Sequence, residues 1–187
     1  MTDTRPCRVV LVGMMGSGKT TIGRALAEHT GWGYHDNDEL LAAATGRSAA
    51  EIALSGEAAL RSAEAAALAE ALSMPPPTIV AVAAGSVLDR DHRERLRRDA
   101  LVVWLHAAPE RLASRATGAA HRPWLDDDAA QWFARAAAER EPLYRAVADL
   151  VVETGASGPA AAAERILDWL RGTACARWVP PAREAQP

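Results

Sequence analysis

"RVVLVGMMGSGKTT", residues 8 to 21, decides the fold. Residues 8–12 form a short apolar run rich in valine, as a buried strand requires, and residues 19–29 continue with the pattern of a helix. Between them Gly13, Gly18, Lys19 and Thr20 satisfy G-x-x-x-x-G-K-[ST] in the strand-turn-helix setting where that spacing has a mechanism. Glycines let consecutive main-chain N–H groups turn inward around phosphate oxygens, and the helix start adds partial positive charge. Gly16, Ser17, Gly18, Lys19, Thr20 and Thr21 are therefore the candidate phosphate-side residues, with Lys19 reaching the β- and γ-phosphates and the Thr20 hydroxyl ligating Mg²⁺. Lys19 is the only lysine among 21 basic side chains. A compact ammonium suits a point contact with phosphate better than a broad guanidinium does. The stretch reads as a site for a nucleoside triphosphate.

Working outward, residues 78–82, 101–105 and 149–152 are further β-rich runs, with a shorter candidate at 33–35. Longer alanine-rich helical stretches separate them, including 57–72 and 160–170. This alternation predicts an α/β protein: a three-layer fold with a central parallel five-stranded sheet. Pro142 interrupts the stretch 128–147, so a kink or break is expected there. Residues 117–128 (TGAAHRPWLDDD) have weak periodicity and read as a mobile lid. Residues 1–171 form one expected domain, and 172–187, with three prolines, an expected disordered tail.

Composition excludes other classes. The formal net charge of -3 argues against a chain built to grip nucleic acid. The one dense basic stretch, Arg90 to Arg98, is interleaved with Asp91 and Glu94 and reads as a solvated helix face. No apolar run approaches the roughly 20 residues that a membrane span needs, so a cytoplasmic protein is expected, acting as a monomer. Cys7 and Cys175 stand at opposite ends of the sequence in no metal-ligand spacing and read as two reduced bystander thiols.

From residue 9 to residue 170 the chain resembles the shikimate kinases. The resemblance rests on ordered motifs: the glycine loop, "YHDNDELL" at 34–41, "TGRSAAEIALSGEAALRSAE" at 45–64, "RPWL" at 122–125 and "EREPLYRAVAD" at 139–149. It implies an ATP-dependent kinase that moves the γ-phosphoryl of MgATP to the 3-hydroxyl of shikimate, in aromatic amino-acid biosynthesis. Asp36 is then the carboxylate that helps hold Mg²⁺ through water, and Asp38 the one that meets the acceptor hydroxyls and takes the proton. The alternative for Asp36 is that it caps the following helix, but two carboxylates placed after a glycine loop favour catalysis. The resemblance makes Arg61 and Arg140 the two guanidinium groups on the acceptor's carboxylate, a geometry suited to arginine's planar fork. It makes Arg122 the lid group that closes over the γ-phosphate. Arg115 lies against the adenine in the family pattern, though a solvated helix end accounts for it too; Pro159 approaches the adenine or simply starts a helix.

One stretch departs from the pattern. Where the family has three consecutive glycines after the central strand, this chain has Ala83, Ala84 and Gly85. Alanine resists positive φ and adds a methyl where backbone approaches ligand, so an altered or narrowed acceptor pocket around Gly85 is expected. Three readings follow. The first is a shikimate kinase with tolerated alanines. The second is a kinase for a modified shikimate, a cyclitol or a sugar acid such as gluconate. The third is a nucleotide-binding paralogue without turnover.

Overall fold

The computed structural model describes residues 5–116, 129–155 and 158–181. The stretch expected to form the lid, 117–128, and residues 182–187 lie outside the described residues.

The strand read first from the sequence, β1 (Arg8–Val12), sits at the centre of the sheet, and its Val9, Val10, Leu11 and Val12 are fully buried. It is flanked by β3 (Thr78–Ala81) and β4 (Leu101–His106), with β2 (Gly33–Asp36) and β5 (Leu150–Glu153) at the edges, giving the order β2-β3-β1-β4-β5. Every pairing is parallel. The parallel five-stranded sheet is the one that the alternation of apolar runs predicts. Successive strand side chains point to opposite faces, so β1 serves two cores. Val10 and Val12 join Val80, Val102 and Trp104 on one face; Val9 and Leu11 join Ile79, Val103 and Leu105 on the other.

The first face is covered by α4 (Glu57–Ser73), α5 (Arg90–Asp99), α6 (Pro109–Ala116) and α7 (Ala129–Val147), through Leu68, Leu96, Leu112 and Phe133 among others. The second is covered by α1 (Lys19–Thr30) and α8 (Gly158–Arg171), through Ile22, Leu26, Ile166 and Leu167. Each such side chain contributes about 1.5–3 kcal/mol when taken out of water. Two shorter helices, α2 (Asn37–Thr45) and α3 (Ala49–Ala53), pack on α4 around Leu41, Ile52 and Ala67. The chain leaves β1 toward β2 on one side and later fills β4 on the other. A crevice therefore opens at the carboxyl end of β1, the place where open α/β sheets take ligands.

Arg8 is charged yet buried in β1, and its guanidinium has work to do: Nη1 donates to Asp99 O and Nη2 to Met74 O, each at 2.8 Å, tying the ends of α5 and α4 to the sheet.

The structure differs from three expectations. Of the kink or break expected at Pro142, the break does not occur, since helix α7 runs through it. Proline in a helix interior costs about 3 kcal/mol, but Phe133 and Ala136 before it and Tyr144 and Val147 after it are buried in one core, and that shared burial offsets the cost. The tail is not disordered from 172 onward, because residues 172–181 pack back on the α1–α8 layer. Trp32 Nε1 donates to Trp178 O at 3.1 Å, and Arg171 Nη2 donates to Pro180 O at 3.2 Å. Finally, Cys7 and Cys175 are joined in a disulfide, with their Cα atoms 5.3 Å apart, and are not free thiols. Sequence distance hid their proximity: the residue before β1 and the turn after α8 meet at the amino end of the sheet.

No helix among the described residues is long and apolar enough to cross a membrane.

A cross-link closing a loop across 168 residues restricts the unfolded chain strongly, an effect of about 2–5 kcal/mol. Cys175→Ser is expected to lower the thermal midpoint by about 5–15 °C, and a reductant should lower it equally in the parent protein but not in the variant. Identical melting curves with and without reductant in the parent would remove the cross-link from the stability of the fold.

Candidate active site

The loop after β1 needs glycine at the positions where the chain has it. Gly13, Gly16 and Gly18 have φ of 147°, 77° and 96°, values that side chains strain to reach. At Gly13 a Cβ would lie 2.5 Å from Leu105 O and 2.9 Å from Ser17 Oγ. The loop is thus pressed onto the end of β4 and cannot carry a methyl there.

Gly18 precedes α1 and offers no side-chain cap, and the helix has no acidic residue in its first turn. A helix start of this kind is suited to an anion. Lys19 folds back across the loop, its Nζ donating to Gly13 O at 2.9 Å and to Met14 O at 3.1 Å. Among the described residues Ser17 Oγ is buried with no hydrogen-bond partner, an oversupply of polar groups that a phosphate's oxygens would absorb.

Strand β2 brings the first acidic residue to this loop. Asp36 Oδ2 accepts from Thr20 Oγ1 at 2.9 Å and from Tyr34 Oη at 2.8 Å, while Oδ1 accepts from the Asp38 N–H at 3.0 Å. Asp36 is therefore the N-cap of α2 with one oxygen and the partner of the glycine loop with the other. Burial, reinforced by the Asp36 carboxylate, pushes the Tyr34 hydroxyl above its ordinary range. Asp38 stands exposed in the first turn of α2.

The turn after β3 gathers the second group. Arg61, on α4, packs its guanidinium on Gly85, where an added Cβ would collide with Nη1. Glu64 holds Arg61 Nη1 at 2.7 Å, and Glu57 lies 3.4 Å from Nη2. Gly85 itself has φ of -83°, so what the site uses is its missing side chain, not an unusual backbone. No non-glycine residue among the described residues has positive φ. Ala83 and Ala84 thus adopt ordinary conformations, and what they can change in the pocket is the room their methyls take.

From the opposite side, Tyr144 on α7 donates its hydroxyl to Ala84 O at 2.7 Å. Arg140 lies one turn earlier on the same helix face. Its side chain is only 12% exposed; among the described residues its Nε lies 3.7 Å from the Glu139 carboxylate and is buried without a hydrogen-bond partner. It lies over the Trp132 ring at 5.7 Å. A guanidinium withdrawn from water with a donor to spare suits an incoming carboxylate.

Arg115, on α6, donates to Gly16 O and Thr154 O, both at 3.0 Å. It is more than a plain solvated helix end, because it ties the glycine loop to the end of β5. Pro159 is exposed in the first turn of α8. Thr21 is exposed on α1. Arg122 lies outside the described residues, as does Trp124. The structure thus joins Lys19, Thr20 and Asp36 in one network, and gathers Arg61 and Gly85 at a turn that the Arg140 face of α7 also meets. Sequence reasoning missed Tyr34 and Glu64. A tyrosine two residues before a site aspartate on a strand, and a glutamate three residues after a site arginine on a helix, share a face with their partners, and that spacing was the available signal.

Uncapped amides backed by a lysine select a polyphosphate, and the turn opposite is furnished for a small anionic acceptor; that division of labour is the mark of a P-loop small-molecule kinase. The family model described as "Shikimate kinase" matches residues 15–171. A shikimate kinase of Thiobacillus denitrificans is 37% identical over 88% of this chain and 92% of its own length, and one of Symbiobacterium thermophilum is 42% identical over 78% and 86%. The solved shikimate kinase from Acinetobacter baumannii, in complex with shikimate, superposes with a TM-score of 0.84 at 32% identity, covering 90% of this chain and 94% of that one. The chain belongs to the shikimate kinase family, and so is an ATP-dependent phosphotransferase with an alcohol group as acceptor.

Gly13→Ala should weaken ADP binding, read by calorimetry, by at least ~10-fold, since a ~1 Å shift of positioned groups carries losses of that order or more. Unchanged affinity would mean that the loop's contact with Leu105 does not shape the phosphate site.

Proposed function

We propose that this protein transfers the γ-phosphoryl group of MgATP to the 3-hydroxyl of shikimate. The observation that carries the reading is the Arg140 guanidinium, nearly buried with an Nε that has no hydrogen-bond partner among the described residues, on the α7 face whose Tyr144 meets Ala84 O beside Arg61 and Gly85. Arg61 beside Gly85 and Arg140 on the facing helix favour an acceptor that carries a carboxylate over a neutral polyol.

In this reading Gly16, Ser17, Gly18, Lys19, Thr20 and Thr21 hold the phosphates by main-chain donors, and Lys19 exchanges its contacts with Gly13 O and Met14 O for phosphate oxygens. Arg115 and Pro159 flank the adenine. Asp38 orients the attacking hydroxyl and accepts its proton as the bond to phosphorus forms. Arg61, Gly85 and Arg140 bind the acceptor, and Arg122 neutralises charge on the transferring group. Catalysis is then mostly positioning and charge compensation.

Mg²⁺ fits the residues present. This ion takes oxygen ligands, needs only one or two from protein when phosphates supply others, and the Thr20 hydroxyl faces the Asp36 carboxylate at 2.9 Å. Bound there, it would neutralise phosphate charge and steady the triphosphate.

A second reading, a related carboxylate-bearing polyol as acceptor, is favoured by one feature: the methyls of Ala83 and Ala84 stand where the family pattern has hydrogens.

A coupled assay of ADP release with shikimate, quinate, gluconate and a neutral cyclitol side by side separates these readings. Turnover with shikimate at the highest kcat/KM is expected; preference for another acceptor selects the second reading, and none with any acceptor despite ATP binding indicates a protein without turnover. Lys19→Met should cost at least ~100-fold in kcat. Arg61→Ala and Arg140→Ala should each raise the acceptor KM about 10–100-fold, the range for lost charged hydrogen bonds, with ATP KM little changed. An unmoved acceptor KM in both variants would eliminate the carboxylate clamp.

A further inference from the structure

The hydroxyl of Tyr34 has no part in the reading above, yet it is one of three donors to Asp36. Tyr34 and Asp36 lie two residues apart on β2 and so on the same strand face. The Tyr34 ring is seated with little tolerance. Gly23 is in the interior of α1, where glycine is an unfavourable choice, and an added Cβ there would collide with Tyr34 Cε2 and lie 3.3 Å from Leu11 Cδ1. Helix α1 thus gives up a side chain so that this ring can lie against it. Packing alone would be met by phenylalanine. The hydroxyl is the part of the residue that packing leaves unexplained, and it donates to Asp36 Oδ2 at 2.8 Å.

We propose that Tyr34 is a positioning residue: its hydroxyl locks the Asp36 carboxylate toward Thr20 and thereby sets the affinity of the nucleotide site for its divalent cation. The proposal rests on the cation-side role given to Asp36 above. Thr20 has a single hydroxyl hydrogen, and it is spent on the same Oδ2. When the Thr20 oxygen turns toward a cation, its donor geometry to Asp36 must change with it. Tyr34, anchored against α1 and not on the phosphate loop, is the hydroxyl donor to Oδ2 that does not have to move. Oδ1 is meanwhile fixed by the Asp38 N–H at the start of α2. The carboxylate is therefore held from two sides by groups outside the loop, and its orientation precedes ligand arrival.

Tyr34→Phe tests this directly, because it keeps the ring and removes one oxygen. Mn²⁺ binding to the protein with saturating ADP, followed by electron paramagnetic resonance without any acceptor, should weaken at least ~10-fold, as expected for loss of a hydrogen bond to a charged group. ADP affinity in chelator should stay within twofold. In an Asp36→Asn background the same Tyr34→Phe change should have no effect beyond twofold. Unaltered Mn²⁺ affinity in Tyr34→Phe, or an equal loss in the Asp36→Asn background, would overturn the proposal. Since the chain has two tyrosines, 3-fluorotyrosine labelling of the unmutated protein supplies a readout independent of how any Tyr34 variant folds. The Tyr34 fluorine resonance, assigned with Tyr144→Phe, should shift when Mg²⁺ is added to the ADP complex, and a resonance that stays put counts against the idea. Shikimate enters none of these measurements. Absent turnover with intact Mn²⁺·ADP binding would therefore count against the acceptor reading alone, whereas a parent protein that binds no Mn²⁺·ADP would remove the nucleotide reading itself.

Discussion

The contact between the Gly13 backbone and the Leu105 carbonyl governs the rest of the molecule. For the loop after β1 to turn its amides inward it must cross the end of β4 at a separation that admits no side chain. This is possible only because β4 is the immediate parallel neighbour of β1, paired from Val9↔Leu101 to Val12↔Trp104. The sheet order is therefore a condition of the loop's shape. The burial of Val9 to Val12 on both faces, in turn, keeps the strand that feeds the loop from shifting along its axis.

Around that loop the site is assembled from strand ends. Asp36 arrives on β2, which pairs Asp36 with Ala81 of β3, and the chain after β3 supplies Ala83 to Gly85. One carboxylate thereby couples two regions: it starts α2, which packs on the helix carrying Arg61, and it receives the hydroxyl of Thr20 from the phosphate side. Arg61 in turn is braced by Glu57 and Glu64, so its position beside Gly85 is fixed by its own helix. Polar groups that look redundant one at a time form a path from the glycine loop to the acceptor side.

Much of this was legible in the sequence because it depends on local rules. The glycine loop, the parallel sheet and the two aspartates follow from spacing, period and turn chemistry. What escaped depended on distant partners. Nothing near Pro142 announces that Phe133 and Tyr144 share a core able to carry a helix across it. The disulfide joins residues that only the sheet's completion brings together. Nor does the sequence tell which demand a glycine in the family pattern answers; at Gly85 the demand is for room, where Arg61 lies. The double duty of Arg115 on Gly16 and Thr154 likewise spans elements far apart in the chain.

The solitary lysine has a chemical corollary. Acylating and reductively alkylating reagents that seek side-chain amines find one such group in the whole chain, and it is the one folded over Gly13 and Met14. Amine-selective labelling of this protein therefore addresses a single internal position, and its rate becomes a gauge of whether that loop is occupied.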